Sequence, residues 1–245
     1  MTRVKTAAIV LAAGSGKRMY EGAERLTAGE KRVKKQYMEI GGRPILYYAL
    51  KAFQDAGVDE IVLVTGAEEI DYCRDEIVKR YGLTGVSAIV AGGAERYDSV
   101  EQGLQAVQSA DYVLIHDGAR PCITKEVIAR CMADVQEYGS AIAAMPVKDT
   151  IKKADEGGFV TETPLRSSLY QIQTPQVFRV EVMRRAYEGL HRSGVVSGVT
   201  DDAMLVETYT DTPIHLTRGD YRNIKVTTPE DLQVAALFLQ SQGKI

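Results

Sequence analysis

Five short apolar runs limit what this chain can fold into more than any other feature: Ala7–Leu11, Ile61–Thr65, Ser87–Val90, Tyr112–Ile115 and Ala141–Met145. They are rich in β-branched residues and bounded by turn residues, and they read as buried parallel strands. A strand apolar on both sides has to be covered on both faces, which is the condition of a parallel sheet between helices. The segments between the runs supply those helices. Pro44–Phe53 places Ile45, Leu46, Ala49, Leu50 and Phe53 on one face, with Pro44 suited to the first turn. Glu68–Tyr81 places Ile70, Cys73, Ile77 and Val78 at helical spacing, and Asp98–Val107 and Lys125–Tyr138 behave alike. Strand alternating with helix predicts right-handed βαβ units. The expected fold class is therefore α/β, a Rossmann-like three-layer sandwich on a mostly parallel sheet.

The rhythm breaks after Met145. Residues 146–176 carry Pro146, Gly157, Gly158, Pro164 and Pro175, with an alternating stretch at Phe159–Thr163. This segment reads as an excursion from the sheet, a protruding β-hairpin arm. Helices are expected to resume at Val180–His191 and Asp201–Thr208, followed by strands at Ile214–Thr217 and Asn223–Val226. The last helix opens at Thr228-Pro229-Glu230-Asp231: a threonine cap, a proline at the first helical position, and acids at the positive helix end. There is no internal repeat. A length of 245 residues suits one domain, residues 1–245, with the arm as its appendage.

Charge narrows the function. The formal net charge is −3, so the broad basic field of a nucleic-acid binder is missing and an anionic ligand has to be met by local cations. Cys73, Cys122 and Cys131 are odd in number and form no C-x-x-C pair, which argues against a disulfide framework. His116, His191 and His215 are scattered without zinc-ligand spacing. The first apolar run is too short to span a membrane and leads directly into a strand–turn pattern. Cytoplasmic residence without a membrane partner is the expectation.

That first run ends in Leu11-Ala12-Ala13-Gly14-Ser15-Gly16-Lys17-Arg18-Met19. Small residues let backbone N–H groups approach an anion closely, and two cations follow at once. The place is right as well, because open parallel sheets bind ligands beyond the carboxyl ends of their strands. The motif is not the dinucleotide fingerprint, which needs a third glycine where this chain has Met19. Nor is it a P-loop, which needs four residues between its glycines and then Lys-Ser/Thr. Alone, such a turn is also an ordinary strand-to-helix connection.

The phrase Leu-Ala-Ala-Gly-x-Gly-x-Arg-Met resembles the signature of nucleotidyltransferases that make NDP-sugars and CDP-alcohols. Further phrases follow in order: Lys35-Gln36-Tyr37, Gly92-Gly93-Ala94-Glu95-Arg96 with Ser99-Val100, His116-Asp117-Gly118-Ala119-Arg120-Pro121, and Pro146-Val147-Lys148-Asp149-Thr150. Gln173-Thr174-Pro175-Gln176, Thr200-Asp201-Asp202-Ala203 and Asn223-Ile224-Lys225-Val226-Thr227 complete the set. Together, from about residue 7 to 240, they resemble the 2-C-methyl-D-erythritol 4-phosphate cytidylyltransferase family, which uses CTP in the non-mevalonate isoprenoid route.

The resemblance implies a reaction and a set of residues. A phosphate oxygen of the polyol phosphate attacks the α-phosphorus of CTP and pyrophosphate leaves, with positioning and charge neutralisation as the main catalytic means. Arg18, Lys35 and Lys225 match the cations on the CTP phosphates. Out of family context, Lys31, Arg32, Lys34 and Lys35 would pass for a solvated basic run, and Lys225 for an exposed strand lysine. Asp117, at the end of an apolar strand, matches the magnesium ligand; without that context it would be a turn-stabilising aspartate. Arg120 either steers phosphate or pairs with Asp117. Ala12, Ala13, Gly14, Gly93, Ala94 and Ser99 match the nucleotide pocket. Thr150 and Arg166 match the acceptor-phosphate site and lie on the arm, which in relatives crosses to a second subunit, so the resemblance implies a homodimer with composite sites. Two departures stand out. Sixteen residues, Met19 to Lys34, separate Arg18 from Lys35, longer than in many relatives, and Ala94 replaces a residue that is often polar.

Three rival readings differ in specific features. Ribitol-5-phosphate cytidylyltransferases share most of the cations, but tend to lack the Pro-Val-Lys-Asp-Thr-Ile-Lys phrase found here at Pro146–Lys152. Pyrophosphorylases using UTP or GTP are disfavoured by His116–Pro121. A non-catalytic nucleotide-binding protein on the same scaffold has no need of Arg18, Lys35, Asp117 and Lys225 together.

Overall fold

The computed structural model describes residues 3–14, 33–193 and 198–245. The chain opens with β1 (Thr6–Leu11) and, after a 3-10 turn at Lys35–Tyr37, forms a small ribbon of β2 (Glu39–Ile40) and β3 (Arg43–Pro44). Then come α1 (Ile45–Asp55), β4 (Glu60–Thr65), α2 (Ile70–Tyr72) widening into a π-helical stretch at Cys73–Lys79, β5 (Val86–Ala91), α3 (Arg96–Ala106) and β6 (Tyr112–Asp117). The second half holds α4 (Lys125–Tyr138), β7 (Ser140–Pro146), β8 (Lys153–Ala154), β9 (Val160–Glu162), β10 (Tyr170–Arg179), α5 (Val180–Ser193), α6 (Asp202–Tyr209), β11 (Leu216–Arg218) and α7 (Pro229–Ser241).

Seven strands form one sheet in the order β11-β7-β10-β6-β1-β4-β5. All its pairings are parallel except those of β10, which runs antiparallel to both β6 and β7. Strand alternation divides the core in two. Ala8, Val10, Leu63 and Leu114 face α1, α4 and α7, while Ala7, Ile9, Val64 and Ile115 face α3, α5 and α6. This is the three-layer α/β arrangement that the continuous apolar runs demand. Gly103 on α3 sits so close to the sheet that a Cβ there would lie 2.5 Å from Ile9 Cγ2.

Four expectations need correction. The excursion does not last to residue 176: Tyr170–Arg179 returns as β10 into the middle of the sheet, with its register shifting between Ile172 and Gln176, around Pro175. Asn223–Val226 is not a strand. Its Val226 N–H bonds Ala119 O in the loop after β6, at 2.8 Å, instead of a neighbouring strand. The strand expected at Ile214–Thr217 forms later, at Leu216–Arg218. Glu68–Tyr81 is not one helix. It begins as a 3-10 turn at Ala67–Glu69, where the Glu69 carboxylate accepts the Gly66 N–H, and ends in the π-helical stretch. The arm itself forms as expected, with β8 and β9 paired antiparallel and exposed.

Candidate active site

β1 and β6 are neighbours, and Leu11 lies opposite Asp117 in the ladder. The turn after β1 and the carboxylate ending β6 are therefore side by side at the carboxyl edge of the sheet. Gly118 makes that approach possible, because a Cβ there would lie 2.9 Å from Leu11 O. From the other side, β5 brings its own turn. A Cβ on Gly92 would lie 2.6 Å from both Ala13 Cβ and Ser99 Oγ. So Ala12, Ala13 and Gly14 are gathered against Gly93, Ala94 and Ser99. The Ser99 hydroxyl accepts the Gly93 N–H and donates to Glu95 O, both at 3.1 Å, and in this way shapes the turn. Gln36, buried in the 3-10 turn, donates to Ala12 O at 2.6 Å and to Gly14 O at 3.3 Å. Its neighbour Lys35 is thereby fastened to the small-residue turn, while Lys34 pairs with Glu69.

Around Asp117 the structure collects three cations. Lys225 Nζ stands 2.9 Å from Oδ2, Arg96 Nε 3.5 Å from Oδ1, and Arg120 Nε 3.6 Å from Oδ2. Burial alone would raise the Asp117 pKa, but Lys225, then Arg96 and Arg120, pull it well below the usual carboxylate range. Arg96 also makes two bonds to the buried Asp202 carboxylate, at 2.9 and 2.8 Å. Those two acids outweigh the desolvation of Arg96 and hold its guanidinium charged. One of the two possibilities left open for Arg120 is seen in this geometry. It pairs with Asp117 and ties Asn223 O through Nη1 at 2.8 Å, yet its buried Nε makes no hydrogen bond. That nitrogen faces Asp117 Oδ2 at 3.6 Å, so the geometry shows the pairing with Asp117.

A second tier holds the first in place. Thr174 Oγ1 accepts the Asp117 N–H at 3.1 Å and lies 3.0 Å from His116 Nδ1, so the threonine proton points to the ring. His116 Nε2 then donates to Arg120 O at 3.3 Å. Burial lowers the His116 pKa to about 4, and the imidazole is neutral near pH 7. Asn223 Nδ2 donates to Thr174 O at 2.8 Å, which fixes the extended segment carrying Lys225. Sequence reasoning gave no role to Arg96, Asp202, Thr174 or Gln36. The only available signal was their place inside the motif phrases.

Thr150 and Arg166 are exposed on the arm, with Arg166 Nη1 donating to Lys148 O at 3.2 Å. Neither bonds to Asp117, Arg120 or Lys225. Lys148 Nζ lies 3.7 Å from the centroid of the Tyr221 ring, whose hydroxyl donates to Pro146 O, so the base of the arm is tied to the loop before Lys225. Arg18 and residues 19–32 of the Met19–Lys34 segment fall outside the described residues. Among the described residues no group of three or more His, Cys, Asp or Glu side chains could hold a metal.

Fold and site together define a class: an α/β protein whose small-residue turns and clustered cations, at the carboxyl edge of a mostly parallel sheet, are equipment for a nucleotide's phosphates. The family model described as 2-C-methyl-D-erythritol 4-phosphate cytidylyltransferase matches residues 6–241, and the chain belongs to that family. Its relatives include the 2-C-methyl-D-erythritol 4-phosphate cytidylyltransferase of Lachnospira eligens, 48% identical over 234 residues, covering 95% of this chain and 98% of that protein. The protein of the same name from Lachnoclostridium phytofermentans is 45% identical, with 96% and 97% covered. Among solved structures, 4-diphosphocytidyl-2C-methyl-D-erythritol synthase from Anaerococcus prevotii superposes with a TM-score of 0.80 at 32% identity, covering 97% of this chain and 99% of that one.

Proposed function

We propose that the protein transfers the cytidylyl group of CTP to 2-C-methyl-D-erythritol 4-phosphate, giving 4-diphosphocytidyl-2-C-methyl-D-erythritol and pyrophosphate, a step of the non-mevalonate isoprenoid route. The observation that carries this reading is the Asp117 cluster, three cations around one carboxylate beside the Ala12–Gly14 turn. In the reaction an acceptor phosphate oxygen forms a bond to the α-phosphorus, and the bond from that phosphorus to the bridging oxygen of pyrophosphate breaks. Two anions have to meet and charge moves onto the leaving group, so fixed cations provide most of the help.

Lys225 serves the α-phosphate, exchanging its contact with Asp117 for a phosphate oxygen, and Arg18 and Lys35 serve the rest of the triphosphate. Ala12, Ala13, Gly14, Gly93 and Ala94 receive the nucleotide through backbone groups, with Ser99 holding that turn in shape. Asp117 would bind magnesium together with triphosphate oxygens. When bound, the ion neutralises phosphate charge and helps pyrophosphate to leave. Thr150 and Arg166 take the acceptor's phosphate. Their exposure on the arm, beside the exposed Phe159 and Leu165, supports a homodimer in which each arm completes its partner's site. Cytoplasmic residence is supported by three buried, unbridged cysteines, and no helix among the described residues is long and apolar enough to cross a membrane.

The test is pyrophosphate release with CTP and magnesium, offering each acceptor separately. Release with 2-C-methyl-D-erythritol 4-phosphate and little with ribitol 5-phosphate is expected; the reverse would move the protein to the ribitol reaction. Lys225→Ala should lower turnover at least ~100-fold, the scale of losing one strong transition-state donor. Near-normal turnover would remove Lys225 from the chemistry.

A further inference from the structure

A cavity of about 480 Å³ lies on the α1 and α4 side of the sheet, between α1, the start of α4 and the residues that follow α7. Asp117 and Lys225 do not line it. Five cationic side chains do, Arg43, Lys51, Lys125, Arg222 and Lys244, against two acids, Asp55 and Glu126. Arg222 is paired with Asp220 at 2.6 Å, which leaves a local excess of two positive charges on a chain of net charge −3, a concentration against the trend. Both acids are already engaged. Asp55 pairs with Lys51, and Glu126 bonds back to Thr124 and its own amide at the start of α4.

Three of the cations lack an anionic partner: Arg43, which rests on the Tyr47 ring and hydroxyl, and two lysines. Among the described residues, Lys125 and Lys244 form no ion pair within 4 Å. Lys244 Nζ donates to Ile123 O at 2.9 Å, and burial lowers its pKa, as expected of a desolvated ammonium without a carboxylate beside it. Next to it, Gln242 donates through Nε2 to Cys122 O at 3.0 Å, while its buried Oε1 has no hydrogen-bond partner. The wall therefore presents cations and one unmet acceptor. An anion answers the first and a hydroxyl the second, and the size falls within the range of small-ligand pockets. Tyr47, Ala52 and Ile123 add apolar surface for a carbon skeleton.

We propose that this cavity is a second ligand site, distinct from the Asp117 cluster, for a small phosphate monoester that carries hydroxyl groups. The phosphate is held by Lys125 and Lys244, and a ligand hydroxyl donates to Gln242 Oε1. The site borders both segments that carry active-site cations. Arg222 precedes Asn223, whose carbonyl Arg120 holds, and Ile123 lies three residues after Arg120. The inference does not rest on cytidylyl transfer, and a protein inactive with CTP would still bind at this cavity.

The test is calorimetric titration of the full chain with D-ribose 5-phosphate, D-ribose and inorganic phosphate. Lys125 is exposed at the first position of α4, where the helix dipole favours an acid, so Lys125→Glu preserves the fold. Saturable binding of ribose 5-phosphate is expected, weakened at least ~10-fold in Lys125→Glu, as for loss of one charge-assisted contact. It should be unchanged in Lys225→Ala, and ribose should not bind. Absence of saturable binding, or binding lost in Lys225→Ala and kept in Lys125→Glu, overturns the site. Inorganic phosphate binding as tightly as ribose 5-phosphate overturns the hydroxyl contact with Gln242.

Discussion

Arg96→Ala offers the sharpest check on how the site is held together. The guanidinium makes two bonds to Asp202, at 2.9 and 2.8 Å, and the Asp202 side chain is 1% exposed against 29% for Arg96. Removing the arginine leaves a carboxylate buried without its counter-charge. Breaking a buried pair from one side costs roughly 3–5 kcal/mol, and the partial exposure of Arg96 places the expected loss near the lower end, about 3 kcal/mol. For a chain of this size that lowers Tm by about 6–12 °C.

The loss should also depend on pH, with a definite sign. Burial raises the Asp202 pKa above the ordinary value even with Arg96 facing it, and taking Arg96 away raises it further. The unfolded carboxyl titrates near its ordinary value, so over the interval between the two the folded variant keeps a proton that the unfolded chain releases. Its stability therefore falls as pH climbs through that interval. Urea unfolding of wild type and variant at pH 5 and pH 8 should show the larger deficit at pH 8. Adding Asp202→Asn to Arg96→Ala should recover at least half of it, since no charge is then stranded. Cytidylyl transfer should stay low in the double variant, because Arg96 also stands beside Asp117. A deficit under about 1 kcal/mol at pH 8, or one equal at both pH values, would refute the assignment of Arg96 as the counter-charge of Asp202.

Other residues give shorter tests. His116 is held neutral down to about pH 4 while the unfolded imidazole binds its proton near 6.5, so stability on the order of 3 kcal/mol is present above pH 6.5 and lost as pH falls toward 4. His116→Gln should flatten that part of the urea-derived stability profile, and an unchanged slope would show that another group supplies it. Gln36→Leu leaves the Ala12 and Gly14 carbonyls without their tether, and the KM for CTP should rise about tenfold in initial-rate assays. A KM within twofold of wild type would make the tether dispensable. Phe159→Glu, on the arm, should yield monomer in sedimentation velocity, and an unchanged sedimentation coefficient would take the arm out of the interface.

The parallel half of the fold was legible because its signal is local. β1, β4, β5, β6 and β7 are apolar at consecutive positions, and α1, α3 and α4 repeat at 3.6 residues, so periodicity alone places them. The order of Lys35, Asp117 and Lys225 along the chain was legible through motif phrases, and the structure brings Asp117 and Lys225 to 2.9 Å. What periodicity misses is polar sequence that is buried. β10 passes through the middle of the sheet carrying Gln173, Thr174 and Gln176, all buried, around Pro175. Read alone, that run is a loop, because proline and polar side chains argue against a central strand.

Burial of those polar groups is possible because each has a distant partner. Gln176 donates to Asp201 at 2.9 Å and accepts the Ala203 N–H at 2.9 Å. Gln173 donates to Asp220 O, and Thr174 meets Asp117 and His116. The bonds that make β10 tolerable in the core are the same bonds that fix α6, the Asp220–Lys225 segment and the Asp117 backbone. The strand was invisible for the reason that it matters to the site. Its side chains serve residues 25 to 58 positions away rather than a local period, and a buried polar group without such a partner would cost more than the strand gains by being there.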